Sequence, residues 1–459
     1  MNSALQAIDK RDLLPPALIG ILAATAVLLP SPAALAAAVL LLAAPLAWFV
    51  LLHAQRWLSA FFLAALLLPP LPVALGNSGP HVAVFIAALG IPAGLLRLGD
   101  WRIRMAVLPA SLAFFFAVLL GSTGLAFLYS GWTVGAGSLA RVLLFGIACY
   151  VYFYAAYGPV CDPRRLTRLL FLAAAGSALF ACLDFQFQWP APAGFGAQFI
   201  WLDTGVFRRA QGFFYEASTL GNFCVFFLTM AALRVVRPKH ETPVSRLSIA
   251  VAVPLLATAL LLSYSRASLV NLGVSLAVMI CLHRPLLHAR RWVRAALFFA
   301  GTALLAFGLF SQFVTTWMLR LWLSVQYFFS SPNSVLSGRL ESWQRLGGFL
   351  LDHPWHLLLG VGYKTLPYSD LPGGPITADN MYLGLLAETG IAGLAAFLAL
   401  NAAILHAAWR ARHSFFGAWI FCFWTGQLVQ MLSGDLLTYW RVMPVYFWVL
   451  GQAVRVERR

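Results

Sequence analysis

Ser111-Leu112-Ala113-Phe114-Phe115-Phe116-Ala117-Val118-Leu119-Leu120-Gly121-Ser122-Thr123-Gly124-Leu125-Ala126-Phe127-Leu128 carries no charge and no alternation of polar and apolar residues. A strand in a membrane barrel alternates between lipid and lumen, so the stretch predicts a helix, the other way a backbone satisfies itself in lipid. Leu35 to Leu52 reads the same way, apolar on every face. The rest of the chain follows suit: 61% of its 459 residues are hydrophobic and 10% are charged, against about 25% charged in a globular domain. A soluble multidomain enzyme is excluded. At ~20 residues per span, the apolar content accommodates near fourteen helices.

Apolar runs between polar breaks place these helices at roughly 13–29, 32–52, 57–75, 81–96, 105–129, 138–158, 166–185, 218–234, 247–263, 267–282, 293–313, 381–405, 415–432 and 436–454. The fold class expected is all-α: a polytopic inner-membrane protein with about 14 transmembrane helices (12 to 14, since the pair about Ser263 to Ser268 also reads as one broken helix). A cytoplasmic N-terminus puts 22 of the 31 Lys and Arg in inner loops and tails and nine outside, the bias of the positive-inside rule. Six of the 15 acids fall inside, so the net charge of +16 belongs to the topology. A nucleic-acid partner loses its support, because those loops face anionic lipid.

The chain divides into 1–313, eleven spans with short loops; 314–380, a large periplasmic loop; and 381–459, the last three spans, with both termini cytoplasmic. The loop is rich in Trp, Leu and Phe, which argues against disorder, and 335–351 has apolar residues at helical spacing, an amphipathic helix on the outer leaflet. Lys10 and Arg11 before Leu13 to Leu29 imitate a signal peptide, read here as an uncleaved first helix. The six cysteines lie in apolar runs or a basic loop, so no disulfide is expected.

Outer arginines are disfavoured by topology and are kept for a reason. Arg266, in Ser263-Tyr264-Ser265-Arg266-Ala267-Ser268, sits at an outer mouth among hydroxyls; a snorkelling side chain is the plain alternative. Arg208 and Arg209 precede Glu216 and read locally as its ion-pair partners. Arg345 stands four residues from Glu341, a surface pair, whereas Arg339 has no such partner. Gly360-Val361-Gly362 before Lys364 is a turn whose amides suit an anion. Asp379 precedes Asn380-Met381-Tyr382 as a helix N-cap or a general base. Asp435 and Arg441 bracket the last outer turn and read as a pair. His353 and His356 lack companions for a metal site. Arginines bind phosphate bidentately, and aromatic residues on the same face suit sugar rings, so a lipid-linked sugar diphosphate fits.

Arg209-x-x-Gly212-x-Phe214, Ser265-Arg266-Ala267-Ser268, Arg339-x-x-x-Trp343, Pro354 with Gly360-Val361-Gly362, and Asp379-Asn380-x-Tyr382-Leu383 with Glu388-x-Gly390-x-x-Gly393 form an ordered set. In that order the chain resembles the O-antigen ligase and polysaccharide polymerase family of bacterial envelope glycosyltransferases over about 200 to 455; the first seven helices match only as hydrophobic helices. The resemblance implies a fold like that of GT-C-type glycosyltransferases and a metal-independent, inverting transfer at the periplasmic face, with no cofactor. Arg209 and Arg266 would neutralise the diphosphate, Arg339 would orient a substrate and Asp379 would be the base. Glu216, Arg345, Lys364, Gly360, Gly362, Asn380, Tyr382 and Arg441 would contact substrate. Ligases of the family carry His before Asn-x-Tyr-Leu, where this chain has Asp379, which tilts the reading to a polymerase of undecaprenyl-diphosphate-linked repeat units. The alternatives are an O-antigen ligase with lipid A core as acceptor and, in another class, a transporter or flippase of the same lipid. A flippase or a chain-length regulator is the partner the resemblance suggests.

Overall fold

The computed structural model describes residues 53–71, 80–190, 198–202, 205–237, 244–283, 311–327 and 338–457, with isolated positions in 47–50, 301–308 and 329–333. The expected helix at 13–29, and most of those at 32–52 and 293–313, lie outside the described residues. The protein is a mostly helical polytopic membrane protein. Its elements are α1 (Ala54–Leu67), α2 (Val82–Leu95), α3 (Val107–Tyr157), α4 (Pro163–Phe187), β1 (Phe199–Leu202), β2 (Gly205–Arg208), α5 (Ala217–Val236), α6 (Arg246–Leu262), α7 (Arg266–His283), α8 (Ser311–Gln326), α9 (Arg339–Asp352), α10 (Pro354–Leu359), α11 (Met381–Arg410), α12 (Phe415–Gln430) and α13 (Met443–Glu457). Among the described residues six helices are long and apolar enough to cross a membrane. The short antiparallel hairpin of β1 and β2 was not expected of an all-α chain.

Two of the long helices reverse direction. Gly131 breaks α3 at φ 80°, ψ 177°, a conformation open essentially to glycine alone. Phe115 and Phe145, on either side of the break, meet edge to face with ring centroids 5.5 Å apart, where an unbroken helix would separate them by about 45 Å. The limbs 107–130 and 132–157 are therefore antiparallel, close to the two helices expected. Gly390 does the same to α11 at φ 68°, ψ −172°. Tyr382 lies 5.9 Å from Phe397, ring to ring, so limb 381–389 folds back along 391–410. The helix expected at 381–405 is thus corrected: its first nine residues are a short re-entrant limb, and its start lies about 12 Å below the reversal.

The limbs of α3 pack against α13 and α11, and α12 packs against α7. Neutral amides bind these helices internally. Asn222 donates to Gln427 and to Gln430 Oε1 (2.8 Å), Asn271 donates to the same Gln430 oxygen (2.8 Å), and Gln430 donates to Ser268 Oγ (3.1 Å). Uncharged hydrogen bonds of this kind join helices where lipid supplies no hydrophobic drive. The large loop has its own small core: Leu346, Phe349 and Leu350 of α9 meet Val361, Leu366, Ile376 and Ala387. Its amphipathic helix begins at Arg339, within the expected 335–351, and α8 is a second one.

Candidate active site

Arg209 follows β2 directly, and Ala210 donates its amide to Leu262 O (3.0 Å) at the end of α6. Arg209 Nε donates to Ser263 O (2.8 Å). The first arginine motif is thereby fastened to the turn that carries Arg266. Tyr264 in that turn has φ 51° and stacks on Trp317 of α8 (5.7 Å). Arg266 Nη1 reaches back to Ser324 Oγ on the same helix (2.9 Å). Two arginines far apart in sequence so share one mouth under an amphipathic helix.

Arg339-x-x-x-Trp343 also resolves into geometry. One turn apart on α9, the two side chains grip consecutive residues: Trp343 Nε1 donates to Ala378 O (2.7 Å), and Arg339 Nε meets Asp379 Oδ2 (3.3 Å). The cap of α11 is Asn380, whose side chain accepts from Tyr382 N (3.0 Å) and Leu383 N (3.1 Å). The N-cap expected of Asp379 is thus corrected. Asp379 holds φ 44° and presents a half-exposed carboxylate to Arg339.

Glu216 precedes α5 without capping it. Its Oε2 accepts from Thr219 Oγ1 (2.7 Å). Burial pushes its carboxyl above the usual range, and Asp379 adds to this; the Thr219 hydroxyl, Lys364 and Arg209 pull the other way. Lys364 pairs with Asp435. Burial pulls its ammonium below the usual lysine range, against the attraction of Glu388, Glu216 and Asp379. Tyr439, buried among these groups, has its phenol pushed up by burial and then by Glu216. Arg209, Glu216, Lys364, Asp379 and Arg339 therefore belong to one electrostatic cluster. Tyr215, Tyr264, Lys364 and Asp379 all take left-handed backbone conformations around it, at a cost of about 1–3 kcal/mol each. Strain concentrated at one end of a bundle marks a site.

Several residues expected to contact substrate have partners within the protein. Gly360 N donates to His356 O, Val361 N to Ala387 O and Gly362 N to Glu388 O, so these amides do not face an anion. A Cβ at Gly360 would strike the Glu388 carbonyl, and one at Gly362 the Ala126 backbone; close packing is what the glycines permit. Asn380 spends its oxygen on the cap. The Tyr382 hydroxyl donates to Leu428 O (2.9 Å). Arg345 ties down Pro372 O (2.9 Å) and Gly374 O (3.3 Å). Arg441 does not pair with Asp435: its three nitrogens donate to Ala65 O, Phe213 O and Leu68 O. Arg208 pairs with buried Asp184 (2.6 Å) and not with Glu216. The sequence reading missed Asp184, Arg141 and the role of Asp435. Arg141, on the second limb of α3, holds Lys364 O (3.0 Å) and Tyr368 OH (3.0 Å); its topological misfit among outer residues was the available signal.

Two recesses flank the cluster. One, of about 410 Å³, is lined by Arg339, Glu341, Ser342, Arg345, Thr377 and Asp379. The other, of about 300 Å³, is lined by Glu216, Tyr215, His81, Tyr439, Trp440 and Arg441. Among the described residues no three His, Cys, Asp or Glu side chains gather at metal-ligand spacing.

Cations, carboxylates and recesses are thus collected at one end of a helical membrane bundle. Residues 251–398, about a third of the chain, match the family model of Wzy_C, O-antigen ligase, within the span of the resemblance. Members of the family are membrane glycosyltransferases of the ligase and polymerase type. No curated protein matches the chain.

Proposed function

We propose that the protein is a polysaccharide polymerase that joins undecaprenyl-diphosphate-linked repeat units at the periplasmic face of the bacterial inner membrane. The observation that carries this reading is the Arg209 to Ser263 contact (2.8 Å), which puts two arginine motifs at one mouth beside a carboxylate cluster. An acceptor hydroxyl attacks the anomeric carbon, the bond to the diphosphate breaks with its electron pair, and the configuration inverts in one displacement. Arg209 and Arg266 neutralise the departing diphosphate, fixed cationic donors placed where charge develops, and this makes the transfer metal-independent. Arg339 and Arg345 border the recess that receives a glycan. A carboxylate of the cluster takes the proton.

A ligase that delivers the glycan to lipid A core uses the same arrangement, and the description of the matched family favours it. The polymerase is preferred because Asp379, fastened to Arg339, stands where ligases of the family carry a histidine. Reconstitution with undecaprenyl-diphosphate-linked repeat units separates the two. A ladder that stays on the polyprenyl lipid without core establishes a polymerase. Products that require core establish a ligase, and lipid crossing the bilayer with no new glycosidic bond would return the protein to the transporters.

A further inference from the structure

Glu216 occupies an unusual position for a carboxylate. It stands at the start of α5, where an acid usually caps, yet its side chain makes no cap hydrogen bond and turns to Thr219 Oγ1 (2.7 Å). It is partly buried and lines the 300 Å³ recess with Tyr215, Tyr439, Trp440, His81 and Arg441. Asp379, the other carboxylate near the arginines, is engaged by Arg339 at 3.3 Å and faces the opposite recess. Resting on the glycosyltransferase reading, we propose that Glu216 is the general base of the transfer and that the recess of Tyr215, Tyr439 and Trp440 seats the acceptor sugar whose hydroxyl it deprotonates. The acceptor oxygen forms the bond to the anomeric carbon, its proton passes to a Glu216 oxygen, and the bond to the diphosphate breaks with the pair leaving on the lipid. Aromatic walls suit the apolar faces of a sugar ring. Arg209, which shares the cluster with Glu216, lies on the leaving-group side.

The electrostatics agree. Burial raises the Glu216 carboxyl, and Asp379 raises it further, whereas Thr219, Lys364 and Arg209 oppose this; a base works best when its pKa approaches the working pH. Tyr215, Tyr439, His81 and Arg441 face the recess from the other elements. A histidine is the usual source of a pH limb between 5 and 7, but burial, and then Arg441, lower His81 to about 4. His81 is neutral above that range, so an acid limb that disappears in Glu216→Gln belongs to Glu216 and not to His81.

The test uses full-length protein in nanodiscs with an undecaprenyl-diphosphate-linked oligosaccharide. Binding is measured separately from bond formation. Glu216→Gln is expected to lower kcat by about 10²–10⁴-fold, to bind undecaprenyl diphosphate within about twofold of wild type and to lose the acid limb of the pH profile; Glu216→Asp, which keeps a carboxylate, recovers part of the rate. Retained binding shows that the variant is folded. A Glu216→Gln variant within about tenfold of wild type, or a larger kcat loss with removal of the acid limb in Asp379→Asn instead, overturns the assignment alone. Wild-type protein that binds the lipid and forms no glycosidic bond overturns the glycosyltransferase reading and the assignment with it.

Discussion

Arg339 Nε stands 3.3 Å from Asp379 Oδ2, across forty residues of chain, and joins the loop helix α9 to the foot of the re-entrant limb. Both partners are partly exposed, so the pair contributes less than about 1 kcal/mol to stability; its value is in position. Arg339→Gln and Asp379→Asn are each expected to slow transfer with little change in melting temperature. If the two act as one unit, the double variant is no slower than the worse single. Independent, multiplying losses in kcat would refute the coupling.

The acid limb of the rate profile is expected to move with the charges around Glu216. Its carboxylate must be ionised to accept a proton, so activity falls as pH drops through its pKa. Lys364 lowers that pKa and Asp379 raises it. Lys364→Gln therefore shifts the limb to higher pH and Asp379→Asn shifts it to lower pH, read as kcat/KM between pH 5 and 9. Shifts of the opposite sign would remove Glu216 from the pH response.

Asp184 and Arg208 are both buried and bonded at 2.6 Å. Asp184→Asn leaves an uncompensated guanidinium, at an expected cost of about 3–5 kcal/mol. Replacing both residues with leucine or methionine recovers most of it. Thermal unfolding in detergent reads the difference, and a single variant as stable as wild type would contradict the buried geometry.

At Gly390 a Cβ would collide with the Leu358 carbonyl and the backbone is in a region reserved for glycine. Gly390→Ala is expected to abolish folded protein in the membrane. Gly347, on the same loop's α9, has open space around it, and Gly347→Ala gains about 0.5–1 kcal/mol from helix propensity. Equal expression of the two variants would count against the reversal.

Arg441 holds three backbone carbonyls, two of them, Ala65 and Leu68, at the end of α1. Arg441→Met removes the donor to Ala65 O and Phe213 O, at about 1–3 kcal/mol each, while Leu68 O keeps its bond from His81 Nε2 (3.0 Å). The melting temperature falls, while undecaprenyl diphosphate affinity in the protein that remains folded is unchanged. Selective loss of affinity would instead return Arg441 to the substrate contacts.

The helical membrane architecture was legible because burial in lipid leaves its mark on every residue of a span, as in 111–128. The motif order was legible too, since Arg209, Arg266, Arg339 and Asp379 are residue types that lipid does not tolerate without cause. Partner choice was not. Arg208 and Asp184 lie 24 residues apart on different elements, and nothing local reveals that they meet. Local rules gave Asp379 the cap, although Asn380 one residue on does it better and thereby releases Asp379. The reversal at Gly131 falls in the break expected between 105–129 and 138–158, whereas the one at Gly390 hid: hydropathy measures how apolar a run is and is blind to a single left-handed glycine within it.

Gly390 has one more consequence. The short limb 381–389 begins at Asn380 and ends at a fixed reversal clamped by the Leu358 backbone, so its length acts as a ruler for the depth of Asp379. Each residue added or removed would move that carboxylate by about 1.5 Å along the limb and swing it by 100°. Changes near three or four residues restore the same face at a new depth. The reach of the site into the membrane is thereby adjustable by indels in one limb, with no change to any helix that spans the bilayer.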